Sequence, residues 1–359
     1  MRSRVPWRAI AAAFGVAALT MGTLATGAQA SSTFTVTFKA SPGSCVAGTS
    51  NRIITRLGIW DASGEIDHVD NVAPDIHDKF LGCFPTATVR PGRTLHAFDG
   101  TDVMQFQIPP LSLSIDRVTD IVKGVSRAHH ALTIRANDCT LITSMNACPH
   151  KVTRTVTTDG GGHYRKDLTS AFDLRGSDSV GVTFTGVHGD TYTVTLHTPF
   201  MEVNAGATSI TAHVNPGQHV AFHLKSSPGG STIESHSLTG PALGYGYSLP
   251  FTHTLRPPRQ LTSDFASDAR VTVPASILTV TIEHHDQIIR ATCLPDRKMV
   301  ISWPGAIGGA TRTGDSHGRA HVNLSSAEHN GFRLASNAEL YTACETASGD
   351  RVVYGILAP

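Results

Sequence analysis

Four segments of this 359-residue chain close in the same way. They run Gly100 to Pro110 (GTDVMQFQIPP), Gly189 to Pro199 (GDTYTVTLHTP), Asp264 to Pro274 (DFASDARVTVP) and Gly349 to Pro359 (GDRVVYGILAP). Each is a turn, then alternating apolar residues, then a proline. Alternation with period two is the pattern of a strand with one buried face. Its recurrence at intervals of roughly 75 to 90 residues is the pattern of one small β-domain copied along a chain.

The copies can be followed internally. Pro110 and Pro199 stand 89 residues apart, and so do Ile121 and Ile210. The segment Thr157 to Leu168 (TTDGGGHYRKDL) aligns without gaps on Thr313 to Leu324 (TGDSHGRAHVNL), and Thr239 to Leu249 is a looser third copy. Asp-x-x-Gly closes a tight turn, because Asp caps its own backbone and Gly accepts positive φ. Runs such as Phe34–Phe38, Val152–Val156 and Val180–Phe184 alternate with period two between Gly and Pro clusters. The expectation is an all-β chain of four sandwiches over 31–109, 110–198, 199–273 and 274–359.

Residues 1–30 read as an export signal. Arg2, Arg4 and Arg8 precede an apolar stretch from Ile10 to Leu24, and Ala28-Gln29-Ala30 is a cleavage pattern that would leave Ser31 first. Removing the three arginines takes the formal charge from +1 to −2, which argues against a nucleic-acid partner. No later stretch is apolar and long enough for a transmembrane helix, so the mature chain is expected to be secreted, either extracellular or held at the cell surface.

Six cysteines, Cys45, Cys83, Cys139, Cys148, Cys293 and Cys344, fall two in the first copy, two in the second and two in the fourth. An even count in an exported chain implies disulfides. If each copy folds alone, the pairs are Cys45–Cys83, Cys139–Cys148 and Cys293–Cys344. The spacing matches no zinc pattern, and no metal or other cofactor is expected.

The order Ile121-x-x-Gly124, then Asp159-x-x-Gly162-x-Tyr164-x-x-Asp167-Leu168, then Gly189-Asp190 and a closing strand resembles bacterial immunoglobulin-like modules. The resemblance covers the second and fourth copies best. It implies tandem immunoglobulin-like β-sandwiches in exported surface proteins, used as spacers or adhesive stalks. It transfers no catalytic residue, and a fold does not set a function.

Candidate chemistry is sparse. Gly314-Asp-Ser316-His-Gly318 matches a nucleophile elbow, which needs a strand before the serine and a helix after it. The segment aligns instead on a turn that lacks serine, so Ser316 is read as structural. His219/His223 and His317/His321 lie four apart, about 13 Å along a strand at about 3.3 Å per residue, too far to share a metal. Asp61-x-Ser63 and Asp99-x-Thr101-Asp102 offer oxygens in loops but match no calcium loop and read as turns. Trp60 and Trp303 end the apolar runs LGIW and VISW at similar points and are read as packing residues. Tyr245 and Tyr247, in the loop-like Gly244 to Tyr247, are the candidate binding residues, since loops carry recognition. The functional expectation is a non-enzymatic exported binding or scaffold protein whose partner is an extracellular protein or an envelope polysaccharide. A cell-wall-binding array and a secreted hydrolase are the alternatives.

Overall fold

The computed structural model describes residues 33–139, 148–240, 246–266, 269–272, 279–283, 287–293, 295–303, 309–325 and 339–357. The expected export signal and Tyr245 lie outside these residues. Among the described residues every regular element is a strand, and the chain is all-β, as tandem sandwiches.

The first sandwich holds β1 (Val36–Ala40), β2 (Cys45–Ser50), β3 (Ile54–Asp61), β4 (Gly64–Val72), β5 (Lys79–Cys83), β6 (Thr94–Phe98) and β7 (Val103–Gln107). The second holds β8 (Ser114–Asp116), β9 (Ile121–Val125), β10 (Ala131–Asn137), β11 (His150–Thr157), β12 (His163–Asp167), β13 (Ser179–Thr185) and β14 (Thr191–His197). The third holds β15 (Phe200–Asn204), β16 (Ser209–His213), β17 (His219–Lys225), β18 (Thr232–Thr239), β19 (Gly246–Pro250), β20 (Gln260–Ser263) and β21 (Arg270–Thr272). The fourth holds β22 (Thr279–Glu283), β23 (Ile288–Thr292), β24 (Lys298–Ser302), β25 (Ala310–Thr313), β26 (Arg319–Asn323), β27 (Glu339–Glu345) and β28 (Arg351–Leu357).

All four sets are wired alike. The first, second and fifth strands of each set form one sheet, and the fourth, third, sixth and seventh form the other. The shared wiring follows from shared punctuation. Asp159 accepts the N–H groups of Gly161 and His163, and Asp315 accepts those of His317 and Arg319. Both turns end in a glycine at positive φ, 79° at Gly162 and 74° at Gly318.

The sandwiches are not strung as four independent beads. β14, the last strand of the second, lies parallel to β1, the first strand of the first. This joins two sheets into one of seven strands, in the order β11-β10-β13-β14-β1-β2-β5. β28 and β15 do the same for the third and fourth, giving β25-β24-β27-β28-β15-β16-β19. The larger structural period is therefore a pair of sandwiches. One apolar cluster runs from Phe34 to Tyr192 through both members of the first pair. In the second pair a cluster from Met201 to Val271 takes in Val352 of β28, while a separate one fills the fourth sandwich.

The three expected disulfides are present. Cys45–Cys83 joins facing residues of β2 and β5, and Cys139–Cys148 links the chain just after β10 to the chain just before β11. Cys293–Cys344 crosses between the two sheets of the fourth sandwich. A cross-link over 38 or 51 residues stabilises a small core by about 3–4 kcal/mol in the chain-entropy account.

Candidate functional site

Two features depart from what a plain sandwich needs: a buried ionic joint between the pairs, and an aromatic face on the first sandwich.

The joint begins at the Gly-Asp turns before β14 and β28. Asp190 accepts the N–H of Phe38 at 2.8 Å, and Asp350 accepts that of Met201 at 2.9 Å. Each carboxylate thus caps the first strand of the preceding sandwich where parallel pairing starts. Burial raises both carboxyls above the usual range, opposed at Asp190 by the Phe38 N–H and at Asp350 by the Arg117 guanidinium. Asp350 also receives Arg117 Nη2 at 2.9 Å and the Ser348 hydroxyl at 2.9 Å. Three donors converge on two oxygens, and the charged one, Arg117, favours the ionised form against the burial that disfavours it. Arg117 belongs to the second sandwich, and Asp350 to the fourth. Their side chains are 2% and 0% exposed. Arg117 Nη1 also donates to the Pro199 carbonyl at 2.8 Å, and its guanidinium lies 5.1 Å from the Phe265 ring centroid.

Further contacts bind the same surfaces. Arg175 pairs with Glu345 at 3.1 Å, Lys298 with Asp138 at 3.5 Å, and Arg351 donates to Ser177 Oγ at 3.3 Å. The Gly176 N–H donates to the Ser348 carbonyl at 2.8 Å. The backbones approach this closely because both residues at the crossing are glycines. A Cβ on Gly176 would stand 2.8 Å from the Gly349 oxygen, and Gly349 itself has φ +81°.

Behind the joint, Asp178 is fully buried and accepts the N–H groups of Cys139 and Arg175. Burial dominates and pushes its carboxyl up to about 7, with Asp138 adding to the rise. Glu345 is also raised by burial against the pull of Arg175. Asp99 goes the other way, to about 2, held by the N–H groups of Asp102 and Thr101 and by Arg52. Asp61, Asp159 and Asp315 are lowered by hydrogen bonds within their turns. An acid raised by folding stabilises the protein at low pH, and that share is lost as pH rises from its unfolded value near 4 toward its folded value. An acid lowered by folding stabilises above about 4, and that share is lost as pH falls. Stability from the carboxyls is therefore expected to peak near pH 4–5, while the lowered imidazoles of His96 and His197 add a smaller share that is kept above about pH 6.5. The carboxyl share should decline toward pH 8, with Asp178 contributing on the order of 4 kcal/mol of the fall. Thermal midpoints recorded across pH 3–9 check this; a flat profile between pH 5 and 8 refutes it.

The aromatic face is the outer surface of the β4-β3-β6-β7 sheet. Along β3, Leu57 and Ile59 point inward, while Arg56, Gly58 and Trp60 take the outer positions. Gly58 faces His96 of β6, and Arg56 faces Phe98. His96 faces Gln105 of β7, and Phe98 faces Val103. The Trp60 and His96 rings stack at 4.8 Å with 15° between planes. A Cβ on Gly58 would lie 2.9 Å from Trp60 Nε1, so glycine lets the indole lie down across the strand. Arg56 grips Glu65 Oε1 through Nε at 2.9 Å and Nη2 at 2.8 Å. Burial holds the His96 imidazole below its usual range, against the pull of Glu65. These side chains line a groove of about 570 Å³, with Phe98 38% and Val103 49% exposed.

The expected residues sit as follows. Trp303 is buried in the core of the fourth sandwich, as expected, but Trp60, expected to pack likewise, lies on an outer face. The difference is one of parity. In VISW the tryptophan is two residues from the last core position, Ile301, and shares its side; in LGIW it is one residue from Ile59 and points the other way. Gly246 and Tyr247 open strand β19 rather than a loop. Tyr247 faces Ala212 and packs half-buried against the third core. Ser316 stands in the exposed turn between β25 and β26, with Asp315 capping the backbone. Asp61 and Asp99 accept hydrogen bonds inside their own turns. Among the described residues no three His, Cys, Asp or Glu side chains gather as metal ligands.

No protein-family model matches the sequence, and no curated protein matches it either. Among solved structures, the tetra-tandem repeat in the extending region of a large adhesion protein is 13% identical. It covers 90% of this chain and 98% of its own, with a TM-score of 0.19. The BSP domain of a biofilm-associated protein is 8% identical over 90% and 96%, TM-score 0.19. The central fibronectin-III array of RIM-binding protein is 11% identical over 70% and 97%, TM-score 0.18.

Proposed function

We propose that this chain is an exported, non-enzymatic extracellular scaffold of four immunoglobulin-like sandwiches, bounded at 109/110, 198/199 and 273/274. The observation that carries the reading is the buried Arg117–Asp350 joint. Domains that share a chain move relative to one another unless their interface is well made. A buried, hydrogen-bonded ion pair at the junction, with backbone crossing backbone at Gly176 and Gly349, holds the two pairs in one geometry. A stiff array of sandwiches presents loops and sheet faces at fixed spacings, which is what a scaffold requires. The immunoglobulin-like class draws support from the fourth sandwich. There a disulfide links the second strand's end to the sixth strand, and a tryptophan at the end of the third strand lies in the same core. The three disulfides support an oxidising compartment. Recognition by Tyr245 and Tyr247 remains part of this proposal.

Fractionation of producing cells tests it. A chain beginning at Ser31, outside the cytoplasm and unlabelled at Ser316 by a fluorophosphonate probe, is the expected result. Cytoplasmic protein beginning at Met1 overturns the export, and stoichiometric labelling of Ser316 overturns the non-enzymatic reading.

A further inference from the structure

We propose that the outer face of the β4-β3-β6-β7 sheet binds carbohydrate, taking a pyranose-containing oligosaccharide along the Trp60–His96–Phe98 strip.

The same outer face of the second sandwich carries threonines: Thr133 faces Thr155 and Thr183, and Thr183 faces Thr193. On the third sandwich it carries Ala221, His223, Ser235, Ser237 and Thr262. Apart from His223 these are the small and β-branched residues that suit a solvated sheet, and on the fourth sandwich the face carries one exposed aromatic, Tyr341 beside Ser302. The wiring is shared, so the fold does not demand tryptophan, histidine and phenylalanine on this face of the first sandwich. Exposing them costs solubility and leaves apolar surface in water.

Aromatic ring surfaces suit the C–H face of a sugar ring. Hydroxyl groups around that ring need donors and acceptors held still. Arg56 and Glu65 fix each other, so both planar groups are already oriented. The Gln105 amide, the Trp60 indole N–H and the His96 ring make no hydrogen bond among the described residues and border the same groove. An apolar groove with a few convergent polar groups is the usual form of a small-ligand site, and about 570 Å³ lies inside the usual range.

A phosphate-rich ligand needs uncompensated cations, and the groove's arginine is neutralised by Glu65. A stable protein partner needs about 800 Å² from each side, whereas the exposed apolar groups here are a few side chains around one indole.

The test is binding of the protein, purified from its producing cells, to an array of neutral and acidic oligosaccharides, followed by calorimetry on the best hit. Saturable binding is expected, weakened at least tenfold by Trp60→Ala and by Gln105→Ala. The thermal midpoint of Gln105→Ala should be unchanged, because its side chain is exposed. If Trp60→Ala misfolds, Gln105→Ala still decides. Absence of binding across the array overturns the proposal. So does binding that both variants retain, or envelope binding that needs Trp60 but survives periodate oxidation of the glycans, which would mark a protein partner.

Discussion

Replacing Arg117 by alanine is expected to destabilise the protein by about 3–5 kcal/mol, the largest effect of any single change outside the apolar cores. The reason is what the substitution leaves behind. Asp350 is fully buried, and its partner's guanidinium is the cation facing it at 2.9 Å. Without that group the Asp350 charge must either stay buried and unpaired or take up a proton. The Pro199 carbonyl loses a donor as well, which adds a desolvation penalty. Because the pair spans the junction, the loss should appear first as loosening. Small-angle scattering of Arg117→Ala should show a larger radius of gyration than the parent, and the unfolding transition should broaden or split. Asp350→Asn in the Arg117→Ala background separates the pair energy from the unpaired charge. The double variant is expected to be less destabilised than the two single losses added together, since neutralising Asp350 removes the charge that Arg117→Ala strands. Additive losses would mean the two residues act independently.

Much of this architecture was legible in the chain. Period-two alternation, Asp-x-x-Gly turns and closing prolines are local signals, and strands and turns are set locally. Disulfide pairing followed from the copy number. What stayed hidden is non-local. Gly189-Asp190 and Gly349-Asp350 read as turn residues, and they are, yet their carboxylates reach across to Phe38 and Met201, on strands 152 and 149 residues away. Nothing local announces such a reach. The pairing of sandwiches through β1–β14 and β15–β28 was hidden for the same reason, since a parallel pair carries no hairpin signal. Trp60 is the instructive exception. Its direction was readable from the parity of Leu57, Ile59 and Trp60, but aligning run ends rather than inward positions placed it in the core.

Asp190 offers the sharpest test of the paired architecture. Its carboxylate serves the Phe38 N–H, just ahead of the first parallel pairs, Lys39 with Thr191 and Ala40 with Tyr192. β14 begins at Thr191, so no backbone carbonyl of that strand stands opposite Phe38, and the side chain supplies the acceptor. Asp190→Ala orphans a buried N–H and should cost about 1–3 kcal/mol. Asp190→Asn keeps an acceptor of the same length and sheds a buried charge, so its cost should be below about 1 kcal/mol near neutral pH. The sign of its pH dependence follows from burial. The raised Asp190 carboxyl weakens the fold as pH climbs above its unfolded value near 4, and the asparagine variant should lose that share of the slope. Hydrogen exchange gives the local reading. In Asp190→Ala the amides of Phe38 and Ala40 should exchange faster, while those of Phe222 and Leu224 in the third sandwich stay protected. If exchange at Phe38 is unchanged and the midpoint holds, the carboxylate is not what ties the first strand to the last. The continuous sheet would then rest on strand pairing and the shared core alone.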